Sequence, residues 1–116
     1  MYHKITIIGK VGTQPIKVQT KDRTFVNFEL ISTRPPNKDG VKDTTWFTVS
    51  TLGRVAQACI ENLKPGSLIL LEGRLQATAD GYPRTFTRKD GTTGAAFNIL
   101  ASMVTFLPSC HDDVHL

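Results

Sequence analysis

The chain has 116 residues, 40% of them hydrophobic, which is the size of one domain whose core needs neither a disulfide framework nor a structural metal. Fourteen Lys and Arg against ten Asp and Glu leave a net charge of +4, a balance that favours a polyanionic partner such as nucleic acid or an anionic surface. No apolar run reaches the ~18–20 residues of a membrane span, MYHKITIIGK lacks the core of a secretory signal, and two cysteines, Cys59 and Cys110, make no disulfide set, so a soluble protein of a reducing compartment is expected.

Residues 3–11, HKITIIGKV, are β-branched and apolar, with Gly9 and Gly12 at bulge or bend positions. Continuation past Pro15 through IKVQT predicts one long, kinked first strand. TKDRT (20–24) is a turn, and FVNFELIST (25–33) then alternates, with Val26, Phe28 and Leu30 on one face and Asn27, Glu29 and Ile31 on the other. PPNKDGVKD (35–43) reads as a long polar loop. TTWFTVSTL is the third strand, and alternation sets Phe47 and Val49 on one face and Trp46, the single tryptophan, beside Thr44, Thr48 and Ser50 on the other. After Gly53 the period changes to three- and four-residue steps through Val55, Ala56, Cys59, Ile60 and Leu63, which predicts a short amphipathic helix stopped by KPG (64–66). SLILLEGRLQA (67–77) is the fourth strand, TADGYPRTFTRKDG (78–91) a polar hairpin arm, and TGAAFNILASMVTFL (93–107) the last strand. The expected class is all-β: five strands in a small barrel, one helix between the third and fourth plugging an end, and a long arm between the fourth and fifth. Phe28, Leu30, Val49, Cys59, Ile69 and Leu71 are core by periodicity and carry no functional reading.

A protein that holds single nucleic-acid strands of any sequence needs cations that follow the phosphates and rings that stack on any base. The arm interleaves the two: at strand spacing Tyr82, Arg84, Phe86 and Arg88 share one face, with Lys89 next to them. Trp46 is the other stacking candidate. Arg54, Arg74, Lys4 and Lys10 extend the cationic track, each able to release counterions on phosphate contact. Against these stand plainer readings: Trp46 as an interface or edge residue, Tyr82 and Phe86 as packing for the arm on a neighbouring subunit, and Lys38 and Lys42 as solvated loop charges. CHDDVH (110–115) offers Cys110, His111, Asp112, Asp113 and His115 as ligands, but a terminal cluster with no second ligand group does not easily wrap an ion, and a frayed tail is expected instead of a metal site. The three histidines, His3, His111 and His115, lie at the termini and no Gly-x-Ser-x-Gly or Walker-type loop is present, so no enzyme and no cofactor are expected.

KITIIGKVGTQP, FVNFELIST, TTWFTVSTLGRVAQACIENLKPGSLILLEGRL and the KDG hairpin leading to FNILASMVTFL together resemble the oligonucleotide/oligosaccharide-binding (OB) domain of bacterial and mitochondrial single-stranded DNA-binding proteins, in order from about Lys4 to Leu107. The resemblance implies an OB-fold domain over residues 1–107 and a short, disordered tail over 108–116. It also implies a sequence-tolerant single-stranded DNA binder without catalysis, a homotetramer that protects single strands in replication, repair and recombination. The expected place is the cytoplasm, associated with the nucleoid, or a mitochondrion. In that family the indole matching Trp46 stacks on bases, as does an arm aromatic whose counterpart is Phe86, with Tyr82 close by. Three departures stand out. Leu52 occupies a position commonly aromatic in the family, and the loop offers Arg34, Lys38 and Lys42 where another tryptophan is often found. PSCHDDVHL has neither the flexible linker nor the acidic tip through which bacterial members recruit replication and repair proteins. Two competing readings remain: an OB-fold replication-restart or assembly factor acting mainly through protein contacts, and a small metal-dependent hydrolase using the C-terminal cluster.

Overall fold

The computed structural model describes residues 2–34, 38–40 and 43–108. Its elements run β1 (Ile5–Val11), β2 (Ile16–Gln19), β3 (Thr24–Thr33), β4 (Thr44–Leu52), α1 (Gly53–Asn62), β5 (Leu68–Leu75), β6 (Arg84–Thr87) and β7 (Thr93–Phe106). The strands pair in the order β1-β5-β7-β4-β3-β2, and an extra β1–β3 pairing closes the sheet on itself. All pairings are antiparallel except β4 with β7. With β1 and β2 counted as one strand and β6 set aside as the arm, this is a closed OB barrel with one helix.

The first strand differs from the expectation, being broken at residues 12–15. β1 pairs with β5 from Ile5 to Lys10, swings across to β3 at Lys10 and Val11, and β2 then follows β3 from Asn27 down to Thr24. Pro15 has no N–H to give the ladder. The gap is bridged instead by the Gly12 N–H, which donates to the Glu29 carbonyl at 2.8 Å, and by the Thr13 hydroxyl, which accepts from the Glu29 N–H at 3.0 Å. Gly9 permits the crossing, because a Cβ there would lie 2.5 Å from the Ile31 carbonyl oxygen. Gly73 does the same on the other side of the barrel: its Cβ would meet the Leu100 oxygen at 2.3 Å, beside a register shift at Glu72/Gly73 that leaves Ser102 as the extra residue of a bulge in β7.

Inside, the alternating residues meet as the period requires. Val26, Phe28 and Leu30 from β3, Val49 from β4, Ile69 and Leu71 from β5 and Ile99 from β7 are buried, each such side chain contributing ~1.5–3 kcal/mol. Helix α1 packs on β3, β4 and β7 and turns Ala56 and Cys59 inward, with Leu63 following at its C-terminus. The chain then reverses through Lys64–Ser67, where the Ser67 N–H donates to the Lys64 carbonyl at 3.0 Å and Gly66 takes φ 92°, a left-handed value open to glycine after Pro65. Thr51 is the polar residue buried among the described residues, and its hydroxyl is satisfied by the Val26 carbonyl at 2.9 Å.

Candidate nucleic-acid interface

The outer face of the sheet is built by the residues that the core does not use. On β3 these are Asn27, Glu29 and Ile31, and the register sets them opposite Ser50, Thr48 and Trp46 on β4. Thr48 and Ser50 in turn pair with Asn98 and Leu100 on β7. Alternation carries the same face along β7 through Ala96 and Gly94, and β6 lays Arg84 and Phe86 directly opposite those two small residues. Trp46 and Phe86 therefore project from one face, on strands of different origin.

Both rings are held at their edges and open above. Trp46 is 52% exposed and packs beside Gly12, where a Cβ would come within 3.0 Å of the indole Cζ3. Phe86 is 43% exposed and lies over Gly94, whose absent Cβ would sit 2.6 Å from its Cζ. The Arg88 guanidinium stands 5.6 Å from the Phe86 centroid, a cation–π distance, and donates to the Thr93 carbonyl at 2.9 Å. Arg88 is not on β6, and Tyr82 precedes it in a bend, so the expected continuous face from Tyr82 to Arg88 reduces to Arg84 and Phe86 on the strand, with Arg88 folded back onto the ring.

The arm tip is a tight turn. The Arg88 N–H donates to the Thr92 carbonyl at 2.7 Å, the Gly91 N–H to the Arg88 carbonyl at 3.0 Å, and Gly91 has φ 88°. This is a three-residue hairpin loop that leaves Lys89 exposed at its apex. Asp90 anchors it by accepting from both the N–H and the hydroxyl of Thr92, which hold its carboxyl below the usual carboxylate range. Residues 78–82 repeat the device, with Thr78 N–H donating to the Tyr82 carbonyl at 2.9 Å and Gly81 at φ 87°.

The other predicted cations are scattered. Lys4 pairs with Glu72 at 2.9 Å, and its hydrogen bond and charge interaction with that carboxylate raise its pKa. An open cleft of about 810 Å³ brings Lys4 together with Arg74 and Leu52, all lining its walls with Leu100 and Tyr2. Leu52 thus belongs to the Trp46 face but supplies an aliphatic floor. Arg54 sits exposed in the first turn of α1, and Lys10 is exposed where β1 crosses to β3. In the loop, Arg34 forms an ion pair with Asp43 and is committed there; Lys38 is exposed, and Lys42 lies outside the described residues. So do residues 109–116, including the CHDDVH cluster, and among the described residues no group of three potential metal ligands occurs. No helix among the described residues is long and apolar enough to cross a membrane.

Three features escaped the sequence reading. Phe97 is 55% exposed on the opposite face of the arm, its ring 5.9 Å from Phe47, and with Leu75 and Tyr82 it lines a cavity of about 370 Å³. His3 accepts a hydrogen bond from the Leu75 N–H at 2.9 Å and so secures the N-terminal segment to β5. The third is the polar row next to Trp46 on the side away from Phe86, Glu29, Thr48 and Asn98, in which the Thr48 hydroxyl donates to the Glu29 carboxylate at 3.2 Å. Alternation had already put Asn27 and Glu29 on that face, but only the cross-strand register reveals what stands beside them.

The model of the family described as "Single-strand binding protein family" matches residues 2–107. Single-stranded DNA-binding protein of Neisseria meningitidis serogroup A is 28% identical over 109 residues, covering 90% of this chain and 59% of that protein. Single-stranded DNA-binding protein 2 of Chlorobaculum tepidum is 27% identical over 110 residues, covering 90% and 70%. The chain thus spans well under two thirds of the neisserial relative's length. Among solved structures, the small single-stranded DNA-binding protein from Streptomyces coelicolor superposes with a TM-score of 0.74 at 23% identity, covering 90% of this chain and 93% of that one, and so shares the fold.

Proposed function

The chain belongs to the single-strand binding protein family, and from that premise we propose that it binds single-stranded DNA of broadly any sequence by base stacking and phosphate contact. The observation that carries the reading is the placement of Trp46 and Phe86 on one outer sheet face, each about half exposed and seated against a glycine. Two π-platforms on one surface suit successive unstacked bases, whichever they are. Arg84, Arg88, Lys89 and Arg54 are the first phosphate contacts, Tyr82 and Leu52 flank the rings, and Arg74, Lys10 and Lys4 extend the path at its margins. Lys4 contributes least, because Glu72 already neutralises it. Residues 2–107 form the binding domain, and its work is protection of single strands in replication, repair and recombination, in the cytoplasm on the nucleoid. A homotetramer is the assembly proposed, and the exposed Phe97 and Leu75 behind the arm are apolar surface suited to contact between copies.

The test is fluorescence anisotropy with labelled oligonucleotides at fixed salt. Trp46→Ala and Phe86→Ala are each expected to weaken binding by about tenfold, one base stack being worth ~1–3 kcal/mol. Unchanged affinity in both would refute the reading. Light scattering after size exclusion checks the tetramer separately.

A further inference from the structure

A carboxylate in the middle of a DNA-binding face repels phosphate, so Glu29 needs a reason for being there. It lies one pleat repeat from the row that holds Trp46, since Ile31 pairs with Trp46 and Glu29 with Thr48. Its place is fixed rather than incidental: loop residues Gly12 and Thr13 take up both its backbone groups, at 2.8 and 3.0 Å. The Thr48 hydroxyl spans both carboxylate oxygens at 3.2 and 3.4 Å, which orients the group and leaves it lone pairs to spare. Among the described residues no cation pairs with it. Asn98 closes the row on the β7 side, and its Oδ1 is turned inward, buried and without a hydrogen-bond partner.

We propose that Glu29, with Thr48 and Asn98 beside it, reads the edge of the base stacked on Trp46 and favours bases that carry an exocyclic amino group. The inference rests on the single-strand-binding reading above and adds a graded base preference to it. An ionised carboxylate only accepts hydrogen bonds, so where it meets the exocyclic position it rewards the N4 amino group of cytosine or the N6 amino group of adenine and is opposed by the O4 carbonyl that thymine or uracil presents there. The Asn98 amide turns easily about its last torsion and can meet the base's second edge atom with either its oxygen or its nitrogen. Thr48 is occupied as a donor and acts as the positioning residue for the carboxylate.

The experiment compares oligo(dC) with oligo(dU) of one length, which differ only at the Watson–Crick edge, by anisotropy at fixed salt. The variants are Glu29→Gln, Asn98→Leu and, as a control for charge alone, Asp22→Asn in the exposed β2–β3 turn. A hydrogen bond to an ionised group is worth about tenfold in affinity or more, so Glu29→Gln is expected to lower the dC-to-dU affinity ratio several-fold, by up to about tenfold. Asn98→Leu should lower it less. Asp22→Asn should shift both oligonucleotides together and leave the ratio alone. If Glu29→Gln strengthens both equally, the carboxylate acts only through repulsion and the inference is overturned while single-strand binding stands. If wild-type protein binds neither oligonucleotide, the reading beneath it falls as well.

Discussion

Gly94→Ala tests whether the position of Phe86, rather than its mere presence, matters for binding. The added Cβ would lie 2.6 Å from the Phe86 Cζ, 2.7 Å from Cε2 and 2.8 Å from the Arg88 Nη2. Since carbon atoms rest ~3.5–4.0 Å apart, the ring must move by about 1 Å, and the guanidinium over it must move as well. The backbone of Gly94 is not left-handed, so alanine fits it, and loss of glycine's freedom in the unfolded chain returns ~0.4–1 kcal/mol. Folding stability should therefore stay within ~1 kcal/mol of wild type in urea titrations. Binding should not: displacing one stacking platform worth ~1–3 kcal/mol forfeits on the order of 1 kcal/mol, about fivefold in Kd. A double-mutant cycle isolates the ring's share, because in a Phe86→Ala background the same substitution has only the Arg88 guanidinium to displace and should weaken binding clearly less. Equal weakening in both backgrounds, or none in either, would refute the reasoning.

Three further outcomes follow from the same geometry. The slope of log affinity against log salt should fall by ~1 for Arg84→Ala or Lys89→Ala, and by clearly less for Lys4→Ala, which Glu72 already neutralises; equal slopes for all three would contradict the pairing. Burial pushes the Cys59 thiol from 9.0 up to about 11. The unfolded chain therefore releases its proton first, so the stability this group contributes is full below its unfolded value and is lost as pH rises through the folded one. Cys59→Ala should accordingly flatten the alkaline end of the stability–pH curve, and an unchanged slope would show that burial does not perturb the thiol. Gly73→Ala sets a Cβ 2.3 Å from a backbone oxygen at the barrel's crossing and should cost ~2–3 kcal/mol or more in denaturant, whereas full stability would mean that the crossing is not tight.

Strand alternation made much of this molecule readable in advance. Val26, Phe28 and Leu30 inward with Asn27, Glu29 and Ile31 outward is what the barrel contains, and Trp46 stands on the hydroxyl side of β4 as its neighbours imply. Two things resisted reading because they depend on contacts distant in sequence. The break in the first strand is a matter of β1 leaving β5 for β3, which local pattern does not encode. Likewise Lys4 looks like a free cation in the sequence, and only the β1–β5 pairing brings Glu72 to it. The arm was legible in composition but not in length: two hairpin-type turns, at 78–82 and 88–92, leave just Arg84–Thr87 as strand.

Trp46 is the chain's one indole, so its fluorescence reports on that face and on nothing else. Titration with oligo(dT) and with a duplex of the same length, at low and high salt, is the most direct test of the proposed stacking surface. Quenching by the single strand alone, saturating and persisting in part at high salt, is the result the structure leads us to expect. An emission unchanged by either nucleic acid would mean that the indole meets protein instead, and the stacking account would be wrong.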